Sequence, residues 1–474
     1  MIKRFFATKD AQIVNARRHS LLSSGSLSNM GLADSGEIFS IYNITGFNTS
    51  TSQNDLSRIL ISFDVDSIFD DIDIPQYSSS YFLRMFNVKH DESLPKNYKL
   101  CVHPVTKSWD EGFGLDLDNY LDIGAVNWIS ASDGVVWENQ GSDYIQTTSV
   151  EQTFTNGYED LEIDITSFVS LWRSGTLSNN GMVVKLSSTY ENMSETFYKK
   201  MFSLRGSEYW FNRPCIEVRW DDSLFDDRNN SYFSSSLATS EDNLNTLYLY
   251  NRIRGRLLDI PSVGQGNIYV SFYSASTGTG SFVTAATGTW AATGTYKVQF
   301  YTTYTGTLYD RWHNNSPVQH PTSPFYSSST EMKNFLEDFY SSNDEFILSM
   351  PNLKAFYDEN DKVRFDLFIR KRNWKPTVYT VASQQQDKEY IKKAFYQIKR
   401  SVDDKIIIPF GTGSLEYTKL SYDKDGNYFN LDMSIFEPDY QYEINYMFNI
   451  DSKKILQKDT FKFRVQSRYK ENNK

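Results

Sequence analysis

Apolar side chains in this chain recur at short intervals, at or near every second position, in one run after another. The pattern holds, with interruptions, in "RILISFDV" (58–65), "YFLRMFNV" (81–88), "YKLCVHPV" (98–105), "LEIDI" (161–165), "GMVVKLS" (181–187), "TFYKKMFSL" (196–204) and "CIEVRW" (215–220). A two-residue period places alternate side chains on opposite faces of a pleated strand, so each run predicts a strand with one buried face. One stretch breaks the pattern. "ITSFVSLWRSG" (165–175) puts Phe168, Leu171 and Trp172 on one helical face; Asp164 or Thr166 can cap it and Gly175 can end it. Many short strands with frequent turns predict a sandwich or jelly roll.

The pattern changes character twice. After "DDSLFDDRNNSYFSSS" (221–236), which reads as a polar linker, come "NIYVSFYSAS" (267–276) and "GTYKVQFYTTY" (294–304). Small residues between them suit tight turns and hairpins. "TLYDRWHNN" (307–315) closes a block the size of an immunoglobulin-like domain. "SPVQHPTSPFYSSS" (316–329) carries three prolines and reads as a second linker. Beyond it, "EMKNFLEDFY" (331–340) predicts a short helix, and strands follow at 345–350, 363–372, 390–400, 405–411, 428–434, 440–450 and 460–466, with "DKDGN" (423–427) as a hairpin turn. The expected architecture is mainly β: a jelly-roll-like sandwich over 1–222, then two smaller immunoglobulin-like domains, 223–320 and 321–474, the last with one short helix. Residues 15–57, rich in Ser, Gly, Asn and Thr, read as a long loop or inserted arm that orders on a neighbour.

Composition sharpens this picture. Of 474 residues 16% are aromatic, with 32 Tyr and 33 Phe, which favours half-buried pleated surfaces. Net charge is −11, and it is uneven: residues 1–222 hold 18 Lys+Arg against 30 Asp+Glu (18 − 30 = −12), and the remainder 30 against 29 (+1). An acidic first half argues against a nucleic-acid partner there. No apolar run is long enough to span a membrane, and the N-terminus lacks a run of signal-peptide length, so no membrane partner and no classical export are expected. The two cysteines, Cys101 and Cys215, fall in strand-like runs and read as buried thiols.

Candidate chemistry is sparse. His19, His90, His103, His313 and His320 lack metal-ligand spacing. Acidic pairs such as Asp110 with Glu111 read as solvated turns. No phosphate loop and no nucleophile elbow is present. Calcium is the one candidate ion, at Asp116, Asp118 and Asp122 in "LDLDNYLD" (115–122). Six of nine tryptophans lie before residue 222; most read as core, whereas Trp128 and Trp137, in loop-like sequence, are candidates for stacking on a sugar. No catalytic residue is assigned, and no enzyme activity is expected.

In order along the chain, "ATKDAQI" (7–13), "SRILISFDVDSI" (57–68), "VTKSWDEGFG" (105–114) with "GAVNW" (124–128), "DITSFVSLWRSG" (164–175) with "NNGMVVKL" (179–186), and "FSLRG" (202–206) with "NRPCIEVRW" (212–220) resemble the DNRLRE-type carbohydrate-binding β-sandwich of secreted bacterial and archaeal proteins. The likeness covers just under half the chain. Leu204 and Gly206, around Arg205, depart from the family pattern, and 15–57 is an insertion. The resemblance implies a sandwich that grips surfaces. Joined to further β domains and without an export signal, it points to a bacteriophage structural protein of tail, neck or capsid, assembled in the host cytoplasm, present in multiple copies in a symmetric particle and contacting other virion proteins. The alternative is a carbohydrate-binding adhesion module acting on a host-surface glycan.

Overall fold

The computed structural model describes residues 1–16, 25–43, 53–76, 78–90, 95–116, 120–193, 197–276, 281–315, 323–334, 344–373 and 388–467. The chain is mainly β and divides into two compact units, Met1–Trp220 and Asp221–Lys474.

The first unit is a sandwich. One sheet runs Ile2–Phe6, Cys215–Arg219, Ser80–Met85, Leu161–Asp164; the larger runs Val150–Phe154, Tyr98–Pro104, Met182–Leu186, Gln53–Ser62, Lys9–Val14, Asn29–Met30. Between them lies a core that includes Ile59, Ile61, Leu83, Leu100, Val102, Met182, Val184, Ile216 and Val218. Each such aliphatic side chain contributes about 1.5–3 kcal/mol on burial. Helix Thr166–Arg173 adds Phe168 and Trp172 to this core. Asp164 Oδ1 accepts the Thr166 N–H at 2.8 Å, while Thr166 Oγ1 accepts the Tyr81 N–H at 3.0 Å, so the threonine ties the helix to the sheet rather than capping it.

The larger sheet has a second core on its outer face. Ala11, Ile13, Leu60 and Val183 pack there against Val105, Trp109, Val126, Trp128, Ala131 and Trp137 of the 105–145 excursion. Both faces of the central strands are therefore covered, which is why "ILI" and "MVV" are unbroken apolar runs. The outer face of the smaller sheet carries a buried charge network set among Ile2, Phe6, Phe82 and Cys215. Burial pushes the Glu217 carboxyl up, but the guanidinium groups of Arg4, Arg219 and Arg84 outweigh it and hold the pKa at about 2.

Residues 15–57 do not form an inserted arm where they are described. Ser35–Asn43 pairs with both Gln53–Ser62 and Phe197–Ser203, and Asn29–Met30 pairs with Lys9–Val14. Ile38 enters the sandwich core from this region. Its low apolar content was misleading because one inward side chain in two suffices for a strand. Residues 17–24 and 44–52 lie outside the described residues.

In the second unit, seven strands follow the order Ser231–Tyr232, Tyr326–Lys333, Thr307–His313, Ile268–Tyr273, Phe282–Ala292, Thr295–Phe300, Asn245–Tyr250. Leu247, Val270, Phe272, Val298, Phe300, Leu308 and Trp312 fill the core. Glu331, Met332 and Lys333, expected to begin a helix, end a strand, so this sheet extends beyond the 320/321 division; residues 335–343 lie outside the described residues. The remainder is an immunoglobulin-like sandwich. Phe346–Ser349, Lys362–Lys371, Gly426–Asp432 and Ser421–Asp423 form one sheet; Phe356–Asp358, Phe461–Gln466, Gln441–Ile450, Ala394–Arg400 and Ile406–Ile408 form the other. Aromatic rings join the two: Phe429 lies 4.1 Å from Tyr396, and Phe365 lies 5.7 Å from Phe463. The "DKDGN" hairpin is present, with Gly426 at φ 128°.

The polar stretch after residue 221 is a buried seam within the second unit. Leu224 N–H donates to Ser421 Oγ (3.0 Å), Asp226 N–H to the Tyr422 carbonyl (3.0 Å), and Tyr422 Oη to Asp227 Oδ1 (2.5 Å). Arg228 pairs with Asp310 at 2.8 Å. Asp226, Asp227 and Arg228 are all buried. Polarity alone does not distinguish a solvated linker from a segment whose polar groups find partners inside.

Candidate functional site

The quoted motifs of the first unit meet around the base of the 105–145 excursion. Arg58 sends Nε and Nη2 to both oxygens of Glu191 (3.0 and 2.9 Å) and Nη1 to the Gly141 carbonyl (2.7 Å). Its guanidinium lies 4.9 Å from the Trp128 ring centre. Asn127 shapes the turn that contains that tryptophan: its Oδ1 accepts the N–H groups of Ile129 (2.9 Å) and Ser130 (2.8 Å). Glu111 accepts from Asp10 N (2.9 Å) and, through both oxygens, from Arg205 (3.1 and 2.8 Å); Asp10 Oδ2 accepts the Arg205 N–H (2.5 Å). Burial pushes the Asp10 carboxyl up to about 7, with the Arg205 N–H bond opposing and Glu111 reinforcing the shift.

Asn29 staples two loops together. Nδ2 donates to the carbonyls of Glu111 (2.7 Å) and Val126 (2.8 Å), and Oδ1 accepts from Gly31 (2.9 Å) and Gly114 (3.3 Å). The approach is so close that a Cβ at Gly114 would stand 1.9 Å from the Asn29 carbonyl oxygen. The glycines of "EGFG" are thus packing requirements.

On this braced base the loops carry apolar side chains outward. Phe113 is 77% exposed, Tyr120 65% and Ile123 62%; Leu115 is exposed beside them in sequence, and Leu27 and Leu32 are exposed on the loop that carries Asn29. The Leu32 N–H donates to the Gly114 carbonyl (3.1 Å) and the Leu115 N–H to that of Tyr120 (2.9 Å), so the two loops form one surface. Exposed apolar side chains on loops tied together by hydrogen bonds are suited to burial against a partner.

Trp128 and Trp137 require correction as surface residues: they are 4% and 3% exposed. The excursion folds back on the larger sheet and buries their rings, with Trp137 Nε1 donating to the Asn127 carbonyl (3.0 Å). Neither ring face is open for stacking. Of the calcium candidates, Asp116 Oδ1 accepts the Tyr120 N–H and Asp122 Oδ2 the Phe113 N–H, both at 2.9 Å; Asp118 lies outside the described residues. These two carboxylates brace the loop that displays Phe113 and Tyr120. Among the described residues no three His, Cys, Asp or Glu side chains form a metal-holding group.

Reactive groups elsewhere are buried. Burial pushes the Cys101 and Cys215 thiols up to about 12 in each case, far from a thiolate at neutral pH. Ser271 Oγ and His313 Nε2 stand 3.0 Å apart, a contact their sequence positions did not reveal, but both residues are fully buried. His19 and His320 lie outside the described residues. The second unit also has a cleft of about 560 Å³, whose lining includes Asn230, Tyr232, Glu241, Asp242, Asn245 and Asn449. No helix among the described residues is long and apolar enough to cross a membrane.

No family model matches the sequence, and no curated protein matches it. Among solved structures, the chain is similar to a Salmonella alpha-2-macroglobulin mutant (9% identity, TM-score 0.15, 98% of this chain and 28% of that one). It is also similar to apo Bacteroides uniformis beta-glucuronidase 3 (9% identity, TM-score 0.12, 98% and 34%). The chain spans about a third or less of either protein's length.

Proposed function

We propose that this protein is a structural component of a bacteriophage particle, in the tail, the neck or on the capsid, that docks to other virion subunits and occurs in multiple copies in a symmetric assembly. The observation that carries the docking part is the stapled loop pair, which holds Phe113, Tyr120 and Ile123 outward on backbone fixed by Asn29. Fixing the loops before association reduces the entropy lost on binding. The phage setting rests on the sequence pattern of a gripping sandwich followed by small β blocks. Peptide mass fingerprinting of purified particles tests the setting; particles without this chain would remove it. The triple variant Phe113→Ser, Tyr120→Ser, Ile123→Ser tests the surface. It is expected to melt within about 2 °C of the parent, because exposed side chains contribute little to folding, and to fail to incorporate into particles. Normal incorporation would place docking elsewhere.

A second reading, glycan recognition at a host surface, is favoured by the cleft of the second unit, where amides, carboxylates and Tyr232 line one concavity. A glycan array on which the purified chain binds nothing would remove it.

A further inference from the structure

Lys200 is an anomaly in the sandwich core. In the Phe197–Ser203 strand it shares a face with Phe202 and lies in register with Ile38, and both neighbours belong to the core. Lys200 is fully buried, with Nζ 5.1 Å from the ring centres of Phe154 and Phe202. Three oxygens surround that nitrogen: Asn87 Oδ1 at 2.6 Å, the Gly157 carbonyl at 3.0 Å and the Glu159 carbonyl at 2.7 Å. None is a carboxylate, so the three bonds satisfy the ammonium's donors without neutralising its charge. Burial lowers its pKa to about 8, against the opposing pull of Asp160 and Glu159. Roughly a tenth of the amine is therefore neutral at pH 7 and about half at pH 8, and a desolvated lysine amine is a nucleophile.

We propose that Lys200 and Asn87 are the two halves of an intramolecular isopeptide cross-link. With a carbonyl bond of about 1.23 Å, an oxygen at this hydrogen-bonding distance puts the amide carbon roughly 3.4 Å from Nζ, so that rotation of the Asn87 side chain turns the carbonyl face toward the amine. The neutral amine attacks Asn87 Cγ, a proton passes from Nζ to Nδ2, the Cγ–Nδ2 bond breaks, and ammonia leaves as the Nζ–Cγ amide forms. The step needs no oxidant, reductant or cofactor. Asp160 accepts the Asn87 backbone N–H through Oδ1 at 2.8 Å, which puts a carboxylate next to the electrophilic residue.

The location gives the bond a purpose. Asn87 lies just beyond the Ser80–Met85 strand of the smaller sheet, and Lys200 belongs to the larger one. At 86–88 the chain crosses over, with the Ser203 N–H donating to Phe86 (2.9 Å) and the Val88 N–H to Met201 (3.1 Å). A cross-link there covalently joins the two sheets, as a disulfide would, between residues 113 positions apart.

The test is intact-mass spectrometry of the full chain, held above the amine's pKa of about 8 and then denatured. The expected result is a mass lower by one ammonia, with a branched peptide containing Asn87 and Lys200 after proteolysis. Lys200→Arg, which keeps the cation, and Asn87→Ala, which removes the electrophile, should each retain the full mass. An unshifted parent mass overturns the proposal. So does a loss of ammonia found only in linear peptides, the result of succinimide formation at Asn156–Gly157 or Asn180–Gly181. Because the parent chain's peptide map decides the question, misfolding of a variant does not affect it.

Discussion

Single side chains in the first unit do work that their residue types only hint at. Asn29 satisfies four backbone groups from two loops. Replacing it with alanine leaves several of them without partners, and Asn29→Ala is expected to destabilise the first unit by about 3 kcal/mol. Urea unfolding followed by tryptophan fluorescence measures this, since Trp109, Trp128 and Trp137 pack under the same excursion. Asp10 makes a prediction about pH. Its folded pKa of about 7 lies above its ordinary 3.8, so the folded state holds the proton more tightly. The associated stability is complete below the ordinary value and is lost as pH rises through about 7. Asp10→Asn cannot ionise and keeps an acceptor for the Arg205 N–H. The parent's melting temperature should therefore fall more than the variant's between about pH 5 and about pH 8, and parallel slopes would refute the assignment. None of this was legible in "ATKDAQI", because a buried and an exposed aspartate are written alike.

At the scale of elements, the Gln53–Ser62 strand shows what periodicity records. Ile59 and Ile61 face the sandwich core, and Leu60 faces the second core beneath the excursion. Leu60→Ala should therefore cost about as much as Ile61→Ala, each about 2–5 kcal/mol. Denaturant titration of the two variants checks this; a cost for Leu60→Ala below about 1 kcal/mol would mean the excursion does not seal that face. The unbroken "ILI" carried this information in the sequence, and the helix at Thr166–Arg173 was equally readable from Phe168 and Trp172. The burial of Trp128 and Trp137 was not, since a loop has no period from which to infer which side is covered.

For the whole molecule, the division into Met1–Trp220 and Asp221–Lys474 gives two units with cores of their own. The boundary lies at Trp220, the residue after the Cys215–Arg219 strand. The following segment is another matter: Asp226, Asp227, Arg228, Asn230 and Ser231 are buried, and Tyr422 donates to Asp227 from 195 positions away. Tyr422→Phe removes that donor and leaves a buried carboxylate short of a partner, so the second unit should lose about 1–3 kcal/mol while the first unit's transition stays in place. Calorimetry resolving the two transitions checks the prediction, and a shift in the first alone would contradict it.

The sequence by itself determined the β class, most strands and the helix at Thr166–Arg173. These depend on local backbone geometry and on one face of each element meeting a core, both of which leave a periodic trace. Tertiary structure alone decided that Trp128 and Trp137 are interior, that Phe113, Tyr120 and Ile123 are displayed, that 221–231 is a seam, and that Lys200 meets Asn87. Each of these depends on which distant segment covers a residue. Burial is a property of that meeting, so a residue's immediate neighbours in the chain do not encode it.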